Sequence, residues 1–328
     1  MTLPSDSYQH KTGIQWTHVP GYVGATWNPT VGCTRVSPGC DNCYAFQLHD
    51  QRYAVNVRAA LASGDRDMKG REVIAAARAA GVKLPMAPQY DVPFSTVQML
   101  DEKRLTAPLR VRKPHAYFVD SMADLFHEDV TDEFLHRVWA VMAGSPHHLY
   151  MILTKRPERM RRWVGEVLGA TLTDPLKNVW LGVSAEDQQR ADERTPVLLD
   201  TPAAVRFVSY EPALGPVDFR AFLHCNCDGD EAWGAPETHA TSCPYRARLH
   251  WIIVGGESGP RARPFDLAWA RSVVGQCRDA GVATFVKQLG AHPRVAPYRE
   301  LLLRSRHGSD PAEWPEDLRV RDFPDAPQ

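Results

Sequence analysis

The chain has 328 residues, of which 44% are hydrophobic and 23% are charged, and its formal net charge is −1 at pH 7. This content suits one large α/β domain or two smaller ones, and the near-zero net charge excludes a global attraction to nucleic acid or to membrane surfaces. The sequence lacks an apolar run of the roughly 18 residues that a membrane span requires, and its polar start lacks the apolar core of a signal peptide. We therefore expect a cytoplasmic protein without membrane contact, in which clustered cysteines bind metal rather than form disulfides.

The first predicted element is a strand that leads into a loop rich in Gly, Pro and Asn. This loop carries Cys33, Cys40 and Cys43 with the spacing C-x6-C-x2-C, and its glycines and prolines let the backbone bend so that the thiolates converge. An iron–sulfur cube normally takes four thiolates, so three would leave one iron with an open position, which is a catalytic arrangement. Two other interpretations are a zinc site with His18 or His49 as the fourth ligand and a set of buried, inert thiols.

Strands and helices are predicted to alternate after this loop. Residues 45–95 contain an Ala- and Arg-rich helix at 73–80 and a Pro-rich exit, and we interpret them as a helical elaboration. Short apolar runs rich in β-branched and aromatic residues then predict strands, and their continuous apolarity is typical of parallel strands covered on both faces. The predicted strands are residues 116–119, 149–153, 179–183, 205–209, 251–254 and 284–287. The predicted helices are residues 132–143, 157–168, 186–199 and 267–280.

The alternation of these segments indicates βα units around a parallel sheet. Together with the strand before the cysteine loop, the predicted strands indicate an α/β fold, a partial or complete (β/α) barrel that occupies residues 1–290. An insert at residues 224–248 and a polar, Pro-rich C-terminal tail at residues 291–328 fall outside this pattern. We expect the tail to pack loosely or to be partly disordered.

The insert carries a second group of metal-ligand residues. Cys225, Cys227, His239 and Cys243 have the spacing C-x-C-x11-H-x3-C, and four such sulfur and imidazole donors match a structural zinc site. A metal would stabilise this insert, which is too rich in Gly, Asp and Pro to build an apolar core. The alternatives are a second iron–sulfur cluster on its three cysteines and an exposed loop with incidental cysteines. Cys277 lies in a predicted helix, and we interpret it as a core thiol.

Five segments of the chain match the pattern of a known family. They are residues 27–44, which include the cysteine loop, 118–127 (FVDSMADLFH), 153–157 (LTKRP), 208–212 (VSYEP) and 253–259 (IVGGESG). The chain from about Trp16 to Gly290 resembles a phage- and prophage-associated family named after phage gene products thirty-seven and sixty-eight, which looks like a branch of the radical S-adenosylmethionine (SAM) superfamily. This resemblance implies a barrel of the radical-SAM type. The commonest loop of that superfamily is C-x3-C-x2-C, whereas the first gap here is six residues and the aromatic Tyr44 follows the last cysteine.

Polar residues follow nearly every predicted strand. In a barrel of parallel strands these ends meet at one mouth, and acids and lysines placed there are costly to bury without a role, although strand ends are also where solvent begins. The resemblance implies that SAM binds at this mouth, where Asp120 or Glu211 could accept hydrogen bonds from its amino group or ribose. Lys155 or Arg156 could pair with its carboxylate. We assign cofactor binding to Asp120, Ser121, Asp124, Lys155, Arg156, Ser184 and Glu257. We assign catalysis to Glu211, Tyr210 and Lys287, although Tyr210 would also suit an ordinary packing role.

The favoured hypothesis is a radical SAM enzyme. It would use a three-Cys [4Fe–4S] cluster, SAM and an electron donor such as flavodoxin or ferredoxin to generate a 5′-deoxyadenosyl radical. A nucleic acid, DNA or RNA, is the candidate substrate because basic residues cluster at 155–162, at 110–113 and at Arg261 and Arg263. The alternatives are a zinc-stapled nucleic-acid-binding protein without catalysis and an iron–sulfur enzyme with another small-molecule substrate.

Overall fold

The chain folds as two compact units. The structure is a computed structural model that describes residues 10–63, 67–169, 174–224, 248–296 and 299–325. The first unit is Met1–Lys155 and the second is Arg156–Gln328. Each unit alternates parallel strands with helices, so the fold is mixed α/β, as the pattern of apolar runs predicts.

Parallel strands form the centre of the first unit. Its strands are β1 (His10–Lys11), β2 (Val23–Trp27), β3 (Thr30–Val31), β4 (Gln98–Met99), β5 (His115–Val119) and β6 (Leu149–Thr154). β2, β5 and β6 pair in parallel in that order, β1 pairs antiparallel with β2, and β3 pairs antiparallel with β4. Trp27 lies opposite Val119, and Val119 lies opposite Ile152. All three side chains are buried, and this register brings the carboxyl ends of the three parallel strands to one level.

Four described helices of the first unit alternate with its strands, and two of them lie in the region after the cysteines. The helices of the first unit are α1 (Tyr44–Ser63), α2 (Gly70–Ala79), α3 (Glu102–Leu105) and α4 (Asp132–Ala143). α4 starts as its acidic first turn predicts, since the Thr131 hydroxyl accepts a hydrogen bond from the Phe134 N–H. α1 and α2 pack through a buried cluster of small and branched side chains, so the helical elaboration has its own core. The cluster consists of Ala60, Val73, Ile74, Ala77 and Leu84.

A second set of parallel strands forms the centre of the second unit. Its strands are β7 (Val179–Ser184), β8 (Val205–Tyr210), β9 (Trp251–Gly255), β10 (Phe265–Asp266), β11 (Ala283–Gln288), β12 (Pro293–Ala296) and β13 (Arg299–Glu300). β7, β8, β9 and β11 pair in parallel in that order, and β10, β12 and β13 form a separate sheet. Trp251 lies at the start of β9, where its indole makes an edge contact with Trp180. Large aromatic side chains therefore fill one end of this sheet.

Two of the four described helices of the second unit begin at aspartate caps. The four are α5 (Pro157–Arg162), which continues as a π-helical segment (Trp163–Leu168), α6 (Gln188–Leu199), α7 (Arg220–Leu223) and α8 (Leu267–Asp279). The Asp187 carboxylate accepts from the Arg190 N–H before α6, and the Asp266 carboxylate accepts from the Ala268 N–H before α8. These bonds satisfy N–H groups that the first helical turn leaves without a partner, and they fix where each helix starts after its strand.

The segment after β12 packs closely against the second unit. The Leu289 N–H donates to the Gly308 carbonyl, and the Trp314 indole N–H donates to the same carbonyl. Trp314 and Leu318 are 2% and 0% exposed. The expectation of loose packing is therefore wrong around Trp314 and Leu318, whose apolar side chains anchor a stretch of polar average composition.

The predicted strands and helices agree closely with the observed ones. All six predicted strands are confirmed, as β5, β6, β7, β8, β9 and β11, each within one residue at either end. The predicted helices correspond to α4, to α5 with its π-helical continuation, to α6 and to α8. Within the described ranges, no helix is both long and apolar enough to cross a bilayer. The insert lies outside the described residues, and with it lie the predicted zinc ligands Cys225, Cys227, His239 and Cys243.

The buried indole of Trp314 gives a test of the C-terminal packing. We expect Trp314→Ala to lower the free energy of unfolding by about 3–5 kcal/mol, because it removes a buried aromatic side chain. Trp314→Phe keeps most of the apolar volume and loses the hydrogen bond to Gly308, so it should cost less. Urea denaturation followed by circular dichroism measures both variants. A loss below about 1 kcal/mol for Trp314→Ala would contradict the close packing.

Candidate functional site

The cysteine loop leaves the first unit's sheet at the carboxyl end of β2. Cys33 follows β3 after Gly32, Cys40 ends a 3₁₀ turn that starts at Pro38, and Cys43 directly precedes α1. The Cys40 N–H donates to the Ser37 carbonyl and the Cys43 N–H donates to the Cys40 carbonyl, so local turns hold these two cysteines. Cys33 and Cys43 are partly exposed and Cys40 is buried, and none of the described cysteines is disulfide-bonded.

Gly32 lets the loop press against the segment that precedes β4. Its φ is +104°, and a Cβ atom there would lie 2.4 Å from the Thr96 carbonyl oxygen and 2.9 Å from the Phe94 carbonyl oxygen. The next residue, Cys33, donates its N–H to the Phe94 carbonyl at 2.9 Å. Both the conformation and the close approach require glycine at this position, so the backbone leading to the first thiol has one tightly defined path.

Asp120 ties the loop to the end of β5. Its carboxylate oxygens accept hydrogen bonds from the Thr30 N–H at 3.1 Å and from the Thr30 hydroxyl at 2.7 Å. The side chain is 3% exposed, and burial raises the pKa of this carboxyl to about 8, against the lowering effect of the bonds from Thr30. Asp120 was assigned to cofactor binding, yet the structure directs both of its oxygens to Thr30.

Ser121 and Asp124, the next assigned residues, also bind the protein itself. The Ser121 hydroxyl donates to the Asn28 side-chain oxygen, and the Tyr44 hydroxyl donates to the Ser121 carbonyl. The Asp124 carboxylate accepts from the Thr154 hydroxyl at 2.7 Å and from the Lys155 N–H at 3.2 Å. These bonds join the cysteine loop, the end of β5 and the end of β6 into one polar network within the first unit.

The chemistry of the loop fits an iron–sulfur cluster. Three thiols on one short loop supply the soft donors that iron–sulfur clusters require, and they would leave one iron without a protein ligand. In the part of the chain that the structure describes, no group of three or more His, Cys, Asp or Glu side chains is arranged to hold a metal ion. The three thiols are donors of the type that a cluster requires, but their sulfurs would have to move together before they could hold one.

The two histidines considered as a fourth ligand differ in position. A Cβ atom at Gly24 would lie 2.4 Å from the His18 ring. Gly24 is near the start of β2, so His18 is at the opposite end of that strand from the loop. His49 is fully buried on α1, where its Nε2 donates to the Val92 carbonyl at 2.9 Å. Its Nδ1 has no hydrogen-bond partner among the residues that the structure describes, and burial lowers its pKa. His49 alone therefore continues as a candidate ligand.

Glutamates follow the carboxyl ends of strands β7, β8 and β9 in the second unit, and each forms an ion pair. The pairs are Glu186–Arg194, Glu211–Lys287 and Glu257–Arg263. Their side chains differ in exposure, with 0% and 7% for the first pair, 16% and 20% for the second, and 6% and 30% for the third. A ligand can reach an ion pair in which both side chains are partly exposed. Breaking a fully buried pair would instead leave an uncompensated charge, so such a pair has a structural role.

The pair of Glu211 and Lys287 joins two of the three residues assigned to catalysis. The Lys287 Nζ lies 2.7 Å and 2.9 Å from the two carboxylate oxygens of Glu211. Gly255, at the end of β9, lies between the strands that carry them, and a Cβ atom there would come within 3.1 Å of the Glu211 Cδ. Glycine at this position thus lets the carboxylate reach across β9 to the ammonium group.

The other two pairs shape the protein around their own strands. Glu257 accepts from the backbone N–H and the guanidinium of Arg263, which closes the loop between them. The Arg194 guanidinium donates to the Ser184 carbonyl at 2.7 Å and to Glu186 at 3.1 Å, so it fixes the end of β7. Glu257 was assigned to cofactor binding, as was Ser184, which is buried as the last residue of β7. The structure places both residues beside these internal ion pairs.

Tyr210, Lys155 and Arg156 complete the set of assigned residues. Tyr210 is fully buried, its hydroxyl donates to the Gly215 carbonyl, and burial raises the pKa of its phenol. These contacts are those of a packed, hydrogen-bonded tyrosine. Lys155 is half-buried directly after β6, and Arg156 occupies the N-cap position of α5 without a side-chain capping bond. They follow one another in sequence at the junction of the two units.

The sequence does not indicate several residues that the structure places at the site. Asn28 and Thr30 lie in the motif at residues 27–44, His127 ends the motif at residues 118–127, and Arg194 lies in a predicted helix. Their types gave no chemical signal, since an Asn, a Thr or a single His suits many roles. Their partners are distant in sequence, as with Thr30 and Asp120, which are 90 positions apart.

Comparison with known families gives one match. A family model described as a protein of unknown function, DUF5131, matches residues 11–310. The chain belongs to this family. No curated protein and no solved structure matches the chain. The DUF5131 match includes the cysteine loop and the pair of Glu211 and Lys287. The description of the family names no activity.

The raised pKa of Asp120 predicts a specific dependence of stability on pH. The carboxyl titrates near 3.8 when exposed and near 8 in the fold, so the folded state holds the proton more tightly. The stabilising contribution is then fully present below about pH 4 and is lost as the pH rises through about 8. We expect the free energy of unfolding to fall more between about pH 5 and pH 8.5 for the wild type than for Asp120→Asn, whose amide does not titrate. Urea denaturation across this range measures the difference, and identical slopes would show that Asp120 ionises normally.

Proposed function

We propose that this DUF5131 chain is a radical SAM enzyme whose thiols of Cys33, Cys40 and Cys43 hold a [4Fe–4S] cluster. On this proposal the α/β fold is a partial or complete (β/α) barrel of the radical-SAM type. The single observation that carries the proposal is the placement of the thiol loop. The loop starts at the carboxyl end of β2, a parallel strand beside β5, and is bonded to the residues that follow β5. α/β proteins place their working residues at such strand ends.

The chain's own residues would have three tasks in this chemistry. A cluster with three thiolate ligands supplies, when bound, an iron with an open position for SAM and the electron that cleaves SAM to a 5′-deoxyadenosyl radical. The Lys155 ammonium, half-buried after β6, suits the carboxylate of SAM. Asp120, Ser121 and Asp124 support the loop through their bonds to Thr30, Asn28 and Thr154. Catalysis falls to Glu211 and Lys287, whose pair is accessible on both sides.

The proposal extends to a nucleic-acid substrate, an electron-donor protein and a structural zinc ion. A nucleic acid is the proposed substrate because Arg156 at the N-cap of α5 and three arginines in its last turn form a basic run, which suits phosphate groups. The three are Arg159, Arg161 and Arg162. The electron donor would be a flavodoxin or a ferredoxin, and the protein would work in the cytoplasm, where thiols stay reduced. Structural zinc at the insert is proposed from the spacing of its cysteines and histidine alone.

One observation favours a second candidate function, a zinc-binding protein that contacts nucleic acid without catalysis. His49 donates its Nε2–H to a backbone carbonyl, which is how metal-binding histidines are commonly oriented. Its Nδ1 has no hydrogen-bond partner in the described ranges of the chain. If His49 joined the three thiols, they would form a closed Cys₃His zinc site with no open position. The two candidates therefore differ in whether His49 is a metal ligand.

Anaerobic reconstitution separates these candidates. We expect the wild-type chain to bind about four irons and to turn brown with absorption near ~400 nm, and to release 5′-deoxyadenosine from SAM with a reductant. Cys33→Ala, Cys40→Ala and Cys43→Ala should each lose the cluster, because each removes one of three ligands. Cys277→Ala is the matched control, since Cys277 is a buried thiol of α8 outside the loop, and it should keep the iron.

A histidine variant completes this experiment. His49→Gln keeps an N–H that can reach the Val92 carbonyl and removes the lone pair of Nδ1. On the proposed function it retains the iron and the release of 5′-deoxyadenosine. A colourless wild-type chain with bound zinc that His49→Gln loses would instead establish the closed Cys₃His site and end the enzyme proposal.

Exchanging the charges of Glu211 and Lys287 tests whether their pair is catalytic or structural. Glu211→Gln and Lys287→Met should each lower the free energy of unfolding by about 1–3 kcal/mol, because each leaves a partly buried charge without its partner. The double variant Glu211→Lys/Lys287→Glu restores the pair and should recover most of that stability. We expect the release of 5′-deoxyadenosine to stay low in the double variant. Recovery of both stability and activity would assign the pair a purely structural role.

A further inference from the structure

The first thiol of the loop is held differently from the other two. Cys40 ends a 3₁₀ turn and Cys43 adjoins α1, so short-range hydrogen bonds fix both. Cys33 stands seven positions before Cys40, beyond the reach of that turn. A loop with a gap this long has more backbone freedom to restrict before its first sulfur can meet the others. Contacts from outside the loop must therefore determine where Cys33 lies.

One such contact binds the chain three residues before Cys33. The buried Asp120 carboxylate accepts from both the N–H and the hydroxyl of Thr30. Asp120 itself adopts a φ of +57°, which is uncommon for a residue with a side chain. Its backbone is held there by the bond from its N–H to the Trp27 carbonyl at 2.8 Å and by the bond that its carbonyl accepts from Ala123 at 3.2 Å. The carboxylate is thus presented to Thr30 by a fixed turn.

A second contact binds the chain one residue after Cys33. His127 is 1% exposed, and its Nδ1 accepts a hydrogen bond from the Asp129 N–H at 3.2 Å. In a neutral imidazole the proton then resides on Nε2, which lies 2.8 Å from the Thr34 hydroxyl oxygen. Nε2 therefore donates to Thr34, and the tautomer of His127 is set by its own turn. Between the two contacts, the Gly32 N–H donates to the Met122 carbonyl at 3.1 Å.

We propose that Asp120 and His127 are positioning residues that clamp the segment from Thr30 to Thr34 and thereby hold Cys33 in place for cluster binding. The inference rests on the proposed function, because it concerns ligands of the same cluster. On this proposal both residues act through the backbone of the loop and are not ligands of the cluster. Their role explains how a first gap of six residues can serve a three-thiol site, and it replaces the assignment of Asp120 to cofactor binding.

The clamp is tested by the reactivity of the thiols in the chain without iron. Alkylation by iodoacetamide, followed by peptide mass spectrometry, gives a separate rate for each cysteine. Thr30→Val and Thr34→Val remove one hydroxyl each and keep the volume. We expect each variant to raise the rate at Cys33 roughly fivefold, which is the effect of losing one hydrogen bond. Thr34→Ser keeps the hydroxyl and should return the rate to that of the wild type.

Two controls separate a local clamp from general loosening. Cys277 is fully buried in α8 of the same molecule, and burial raises the pKa of its thiol to about 11, so it reacts when the fold opens. Its rate should stay unchanged in the clamp variants. Thr201→Val, which removes a buried hydroxyl that donates to the Val197 carbonyl, should leave the rate at Cys33 unchanged. An unchanged rate at Cys33 in both clamp variants, or an equal rise at Cys277, overturns the proposal.

This experiment is independent of whether the proposed function holds. A wild-type chain that fails to bind iron would end the radical SAM proposal, while the alkylation rates would still show whether Thr30 and Thr34 are clamped. Conversely, unchanged rates would remove the clamp and leave the cluster in place. Iron content per chain in Thr34→Val and Thr34→Ser links the two, since a loosened Cys33 should bind less iron only in the valine variant.

Discussion

The hydrogen bonds between the Asp120 carboxylate and Thr30 are the interaction on which the candidate site depends. They are buried and join the end of β5 to the start of the cysteine loop across 90 positions of sequence. Around them, Gly32 admits the loop against Phe94 and Thr96, so the path to the first thiol has little freedom. Burial disfavours the charged form of this acid and raises its pKa, while both of its oxygens accept hydrogen bonds from Thr30.

The ion pairs at the strand ends of the second unit differ in how deeply they are buried. Glu186 is paired in full burial, where breaking the pair would leave an unsatisfied charge and where a ligand has no access. Glu211 and Lys287 form their ion pair beside Gly255, and both side chains are partly exposed. The same residue type at successive strand ends thus has different roles, and burial rather than sequence position distinguishes them. This difference is why Glu211 and Lys287, among the acids and bases of the second unit, are the residues proposed for chemistry.

The sequence predicts the fold better than it predicts the roles of individual residues. Strands such as β7 and β9 are continuous apolar runs bounded by polar residues, and that pattern depends only on neighbours in the chain. The hydrogen bonds of Asp120 and of His127, by contrast, involve Thr30 and Thr34, which are distant in sequence. Strand-end position alone does not distinguish an acid that binds a cofactor from one that binds the backbone, and the bonds of Asp120 to Thr30 are visible only in the fold. The close packing around Trp314 was missed for a similar reason, since average polarity does not reveal one buried indole.

The long gap between Cys33 and Cys40 separates two parts of the loop that are held by different contacts. The pair Cys40 and Cys43 is organised locally by a turn and a helix start, and Cys33 is organised by residues that follow β5. The sulfurs are therefore guided by two separate parts of the first unit, and they would come together when metal binds. His49, with its buried ring and one nitrogen without a partner among the described residues, marks the alternative, in which a fourth protein ligand closes the site.

Electron paramagnetic resonance of the reduced chain tests the central claim, an iron left open by three thiolates, most directly. The account predicts the signal of a reduced [4Fe–4S] cluster whose g-values change when SAM is added, because SAM would bind the open iron. The cluster signal should respond less to methylthioadenosine, which lacks the amino and carboxylate groups. A signal that SAM leaves unchanged would contradict the account, and so would a reconstituted chain that gives no such signal.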